Sequence, residues 1–295
     1  MKTTLGRLLY RLASPSMRAL ANRRLRASYD LNKGPPMAIE TAVDAAALDR
    51  MWDHIAEVWS RLGDSEPLWS VLTNERYLSK ARPTPETVAG FYDSGRGDRD
   101  YLLAFLARAG LSPAQFPTLA EYGCGVGRTT RWLAATFTGV KAFDVSAPHL
   151  AMARQHLAQS GLANVDFVHL QQRDDLGQLA GIDLFFSLIV LQHNPPPVIL
   201  DILDRAFAAL NPGGVAFFQV PTYREGYRFS ATGYWQDVAS RTAMEIHFVP
   251  QAAIFDLAGR HGLRLLEVRN DNCLGSSDST ISNTFLMRKG PLRAQ

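Results

Sequence analysis

The chain has little cysteine, no long apolar run, and no cluster of residues with metal-binding spacing. Its two cysteines are Cys124 and Cys273, and Cys124 sits inside a glycine-rich stretch. A structural disulfide is therefore not expected, and the pattern suits a reducing, cytoplasmic setting. The seven histidines (54, 149, 156, 169, 193, 247 and 261) are scattered, so no zinc site and no other metal is expected. The longest apolar runs are strand-length, which excludes a membrane-spanning helix. Arginines interrupt any apolar core that a secretory signal at the start would need.

Acidic residues are missing from one region only. Residues 1–29 hold Lys2, Arg7, Arg11, Arg18, Arg23, Arg24 and Arg26 and no acid. Net charge is +3, so the +7 of this arm leaves −4 for the rest. A mildly acidic body does not suit a nucleic-acid binder. Leu5, Leu8, Leu9, Leu12, Met17, Leu20 and Leu25 interleave with those arginines. The spacing predicts an amphipathic basic helix broken near Pro15. Such a helix can lie peripherally on an anionic membrane, or pack on the body with its arginines solvated. The same composition resembles an organelle transit peptide.

What is present is a strand, a turn and a helix. The apolar run Leu119-Ala120-Glu121-Tyr122 ends in Gly123-Cys124-Gly125-Val126-Gly127-Arg128, and a helix is expected over 129–137. Glycine at three alternate positions permits positive φ and a close approach of ligand to main chain. The dinucleotide fingerprint needs a glycine where Arg128 stands, and the phosphate loop needs a Gly-Lys-Ser/Thr ending that is absent. Glu121, just before the turn, would repel a pyrophosphate and suits a cationic ligand. Asp144 ends the next strand, 21 residues beyond Gly123. An acid there can accept hydrogen bonds from both ribose hydroxyls, or can cap the helix that begins after Ser146.

These stretches resemble the motifs of the class I S-adenosylmethionine-dependent methyltransferases. Gly181-Ile182-Asp183-Leu184-Phe185-Phe186-Ser187 looks like their fourth-strand motif, Leu191-Gln192-His193 like the end of that strand, and Leu210-Asn211-Pro212-Gly213-Gly214 like the turn before strand five. The resemblance covers about residues 115–290. It implies an α/β fold with a Rossmann-like sheet, helices on both faces and an antiparallel last strand. It also implies S-adenosylmethionine as cofactor, held by Glu121, Tyr122, Gly123, Gly125, Gly127, Arg128, Asp144, Val145 and Ser187. The stretch Gln171-Gln172-Arg173-Asp174-Asp175 does not identify a partner for the adenine amine.

Alternation of strand and helix from 116 onward fits that fold. Strands are expected at 118–122, 140–144, 165–170, 182–190, 215–220, 264–268 and 281–288. Residues 1–43 read as basic arm and linker. Residues 44–114 read as a helical N-terminal lid, with helices over 44–62 and 98–110 and with Tyr92 and Ser94 in a polar loop facing the cofactor. Residues 221–249 form an insertion, of the length that usually carries function.

His193 is the candidate base, because a histidine past the carboxyl end of a central strand can take a proton from an alcohol. It can equally line the pocket. Gln192, Tyr223, Tyr227, Trp235 and His247 are candidate acceptor residues. Aromatic faces beside the polar turn 270–279 would suit a small molecule or a sugar, or would form a satellite core and a solvated turn. Asn194-Pro195-Pro196-Pro197 lacks the aromatic of the amino-methyltransferase motif and reads as a helix start. The reading is an O-methyltransferase of a small-molecule or glycan acceptor. Its alternatives are a non-catalytic cofactor binder and a nucleic-acid or protein N-methyltransferase. Oligomeric state is not legible.

Overall fold

The computed structural model describes residues 14–17, 34–237, 244–271, 273–274 and 280–290. Most of the basic arm and most of the polar turn at 270–279 lie outside the described residues. The elements run β1 (Ala38–Ile39), α1 (Ala45–Ser65), α2 (Pro67–Val71), α3 (Pro85–Arg108), β2 (Thr118–Tyr122), α4 (Thr130–Ala134), β3 (Gly139–Asp144), α5 (Ala147–Gln159), β4 (Val165–His169), β5 (Ile182–Ser187), α6 (Pro196–Ala209), β6 (Leu210–Arg224), β7 (Arg228–Phe229), α7 (Ala231–Asp237), α8 (Gln251–Arg260), β8 (Leu263–Asn270) and β9 (Thr280–Lys289).

Seven strands form one sheet in the order β4-β3-β2-β5-β6-β9-β8. All neighbours are parallel except β9, which runs antiparallel to both β6 and β8. Strand alternation fixes the two cores. Ala120, Phe185, Ala216 and Phe218 face α1, α6 and α8, while Leu119, Leu184, Phe186, Val215 and Phe217 face α3 and α4. The central strands are apolar on both faces, as parallel strands covered by helices must be. Chain order reverses between β2 and β5, and a ligand crevice opens beyond the carboxyl ends of strands at such a switch point. Among the described residues no helix is long and apolar enough to cross a membrane.

Several expectations are corrected. Helix α3 begins at Pro85, capped by Thr84, so Tyr92 and Ser94 lie inside a helix and not in a loop. Ser94, Gly95 and Gly97 suggest a loop by composition, but Gly95 serves helix packing. A Cβ there would stand 2.1 Å from the Arg128 main-chain oxygen. The helix after the glycine turn is only Thr130–Ala134. Strand β5 stops at Ser187 because the chain bends at Ile189, whose φ is 59°. Strand β6 takes in Asn211–Gly214, and its register against β5 shifts there, with Gly213 at φ 82°. It also runs on to Arg224, well into the expected insertion. Asp183 ties this region together, accepting from Thr118 N at 3.0 Å and Asn211 Nδ2 at 2.8 Å.

Candidate active site

The glycine turn is shaped by its own backbone. Gly123, Gly125 and Gly127 have φ of 79°, 54° and 82°, values that side-chain-bearing residues rarely adopt. Gly123 N and Cys124 N both donate to Phe143 O, at 2.8 and 3.1 Å, which anchors the turn to β3. Asp144 holds it from the other side. Its Oδ2 accepts from Gly125 N at 2.7 Å, and its Oδ1 accepts from Ser146 N at 2.8 Å. The aspartate is therefore a structural clamp on the turn as well as a wall of the cavity beside it.

That cavity has a volume of about 620 Å³ and lies at the switch point. Its first half is the glycine turn with Glu121, Tyr122, Arg128, Thr129, Asp144 and Val145. Glu121 is 3% exposed, and its Oε2 has no hydrogen-bond partner among the described residues. Burial, the leading cause, pushes its carboxyl up to about 8. An uncompensated buried acid is costly unless something cationic joins it. Arg128 does not fill that role alone, because it pairs with Asp98 and donates to Ser94 Oγ at 3.2 Å. Arg128 thus fastens the turn to α3.

The second half lies between residues 188–194 and residues 244–246, with Trp59 and Ile55 of α1 facing them. His193 is half-buried. Its Nδ1 is 2.7 Å from Glu245 O, so Nδ1 carries the proton and Nε2 presents its lone pair. Gln192 Nε2 donates to that lone pair, with 3.3 Å between the two nitrogens. Burial lowers the imidazole to about 4, so the ring is neutral at physiological pH. Trp59 meets the ring edge-on at 5.3 Å between centroids.

Of the residues nominated from sequence, Glu121, Tyr122, Gly123, Gly125, Arg128, Asp144, Val145, Gln192 and His193 line one cavity. Gly127 and Ser187 lie behind it. A Cβ on Gly127 would touch Leu157 and Ala153 of α5, and Ser187 Oγ donates to Tyr122 O at 3.2 Å. Tyr92 is placed elsewhere. It stacks on His156 at 3.4 Å, and burial pushes its hydroxyl up to about 12. Four residues of the 221–249 segment also turn away from the cavity. Tyr223 hydroxyl donates to Pro35 O, Tyr227 hydroxyl is 2.7 Å from His247 Nδ1, and Trp235 carries the Arg50 guanidinium 3.9 Å from its ring centroid. His247 is 2% exposed and bonds Glu245 Oε2 at 2.7 Å. Among its described residues, that segment gives the cavity Met244 and Ile246.

Sequence reasoning missed the roof. Ser70, Val71, Leu72 and Thr73, in and after the short helix α2, close over the glycine turn, with Val71 Cγ2 2.8 Å from where a Gly125 Cβ would be. Ser70 Oγ is 2.9 Å from His149 Nε2, joining that roof to α5. The available signal was Pro67 after a helix, which marks the first turn of a new one.

Residues 120–214 match the family model for a methyltransferase domain. Among curated proteins, the chain is 34% identical over 122 residues to trans-aconitate 2-methyltransferase of Variovorax paradoxus, covering 41% of this chain and 44% of that one. It is 30% identical over 115 residues to ubiquinone biosynthesis O-methyltransferase of Aromatoleum aromaticum, covering 38% and 48%. The chain thus spans about half the length of the curated relatives it matches. Among solved structures, magnesium protoporphyrin IX methyltransferase of Synechocystis, with bound S-adenosylhomocysteine, superposes with a TM-score of 0.53 at 17% identity, over 80% of this chain and all of that one. The N-methyltransferase NodS of Bradyrhizobium japonicum gives 0.51 at 17% identity, over 80% and 99%. Residues 120–214 thus match a methyltransferase domain, and the sheet around them has the fold of these solved methyltransferases.

Proposed function

We propose that the protein is an S-adenosylmethionine-dependent O-methyltransferase acting on a small molecule. The observation that carries this reading is one cavity with a buried carboxyl, Glu121, whose Oε2 has no partner among the described residues, at one end and a neutral imidazole, His193, at the other. The first half fits the cofactor. Glu121 offers a negative charge to a cationic ligand, and the glycine turn leaves the main chain open to close approach. Asp144 retains a free lone pair on each oxygen for ribose hydroxyls, beyond the two amides it already holds. When bound, the cofactor supplies a methyl group already activated on a sulfonium.

The protein's task is then alignment and one proton. The roof of Val71–Thr73 and the wall of Trp59 screen the reacting end from water. His193 Nε2 is unprotonated and accepts the acceptor's hydroxyl proton. A base held near 4 suffices, because the acceptor oxygen becomes strongly acidic as it takes on the methyl group. Support for oxygen as the acceptor atom comes from that unprotonated nitrogen and from the curated relative named as an O-methyltransferase.

Calorimetric titration with S-adenosylmethionine tests the reading. Wild type is expected to bind, and Asp144→Ala to bind at least tenfold more weakly. Absence of binding by wild type sinks the proposal.

A further inference from the structure

We infer that the acceptor is an uncharged, largely apolar molecule carrying a hydroxyl, which donates to His193 Nε2 and accepts from the Gln192 amide. This rests on the methyltransferase reading and narrows its substrate.

Charge separates the two halves of the cavity. Its charged lining residues among the described ones are Glu121, Arg128 and Asp144, and all three belong to the glycine-turn half. The other half is walled by Ile55, Trp59, Ile189, Val190, Met244 and Ile246. A carboxylate or phosphate acceptor brought here would be stripped of water with no cation among the described residues lining this half to meet it. A sugar would leave most of its hydroxyls facing hydrocarbon, since each buried polar group needs a partner. Apolar surface continues to the mouth, where Ile189 is 37% and Ile246 42% exposed.

The polar end is built to receive one hydroxyl. Gln219, fully buried, donates through Nε2 to Gln192 Oε1 at 3.1 Å and to Ser282 Oγ at 2.7 Å. Its own Oε1 accepts from Ile189 N at 3.1 Å. That fixes the Gln192 amide with oxygen toward Gln219 and nitrogen toward His193. The Glu245 carbonyl fixes His193 with its proton on Nδ1. In the free protein His193 Nε2 accepts from the Gln192 amide N–H at 3.3 Å, and a hydroxyl that inserts between them accepts from the amide and donates to the ring nitrogen, so the pair is the complement of one hydroxyl.

The test is calorimetry on the full chain. S-adenosylhomocysteine is titrated first, and its failure to bind would count against the methyltransferase reading itself. With that product saturating, 4-alkylphenols from ethyl to octyl, the matching 4-alkylbenzoates and glucose are titrated. The expected result is phenol binding that tightens roughly fourfold for each methylene buried, benzoates at least tenfold weaker than phenols of equal chain, and no binding of glucose. Ile246→Arg should weaken the phenols at least tenfold and strengthen the benzoates, with S-adenosylhomocysteine affinity unchanged. The inference is overturned if benzoate or glucose matches the phenols, if chain length has no effect, or if no phenol binds the product-loaded protein.

Discussion

His193 Nδ1 donates to the main-chain oxygen of Glu245 at 2.7 Å, and this contact decides which face of the imidazole can do chemistry. With Nδ1 committed, Nε2 is the basic nitrogen. Burial depresses the ring to about 4, so protonation, and with it loss of base function, sets in as pH falls through about 4. Turnover should therefore show no acidic limb near pH 6.5, where an unperturbed histidine would place one. His193→Phe should lower kcat by about 100-fold, the low end for general base catalysis, with S-adenosylhomocysteine affinity unchanged. A pH–rate profile from 4 to 9 with either phenol or quinol acceptors checks the first expectation, and single-turnover kinetics check the second.

Glu121 should link cofactor binding to proton release. Burial raises its carboxyl to about 8, so it is mostly protonated at pH 7 in the free protein. A cationic ligand favours the carboxylate, and binding at pH 7 should expel up to about one proton. Calorimetry in buffers of different ionisation enthalpy reads that number directly. In Glu121→Gln the release disappears. Stability follows the same sign. The folded protein binds the proton more tightly than the unfolded chain, so the contribution is full below about 4.5 and is lost as pH rises through about 8. The thermal midpoint of Glu121→Gln relative to wild type should rise between pH 6 and pH 9.

Asp144 has a second duty that a ribose role alone would not predict. It satisfies two buried main-chain N–H groups, Gly125 N and Ser146 N. Leaving each unsatisfied costs about 1–3 kcal/mol. Asp144→Ala should then destabilise the fold by roughly 2–6 kcal/mol on that basis. Asp144→Asn, which keeps one acceptor oxygen, should lose about half as much. Urea denaturation in the absence of ligand separates this loss from any change in cofactor affinity.

Which of these features the sequence shows follows from how local they are. Gly123 and Gly125 could be read because a strand-turn-helix unit imposes its residue types within a few positions, and Asp144 because the end of the next strand falls at a set distance of about 20 residues. The roof residues could not, since Val71 reaches the glycine turn only once α2 is packed. The aromatics of 221–249 left an acceptor site and a satellite core both open, because chemistry alone does not say which way a ring points. Tyr227 is bonded to His247, and Trp235 is covered by Arg50, whereas the plain apolar residues Met244 and Ile246 line the cavity. The histidine at 193 was legible as a candidate base, but its protonation state depends on Glu245, which lies 52 residues away.

Gly95 and Gly97 lie two residues apart in α3 and should respond oppositely to the same substitution. Composition makes the pair look like a loop, and the helix explains why only one of them is required. A Cβ at Gly95 would lie 2.1 Å from Arg128 O and 3.1 Å from Thr129 Cα, both main-chain atoms that cannot rotate away. Gly95→Ala must therefore push α3 off the glycine turn, with a cost of about 1–3 kcal/mol or more and a loss of cofactor affinity. Gly97 is exposed and a Cβ there meets nothing within 4 Å. Gly97→Ala should stabilise the protein by about 0.5–1 kcal/mol through helix propensity alone, with cofactor affinity unchanged. Chemical denaturation and S-adenosylhomocysteine titration of the two variants measure both. Equal behaviour of the pair would mean that α3 does not press on the glycine turn through Gly95 on Arg128.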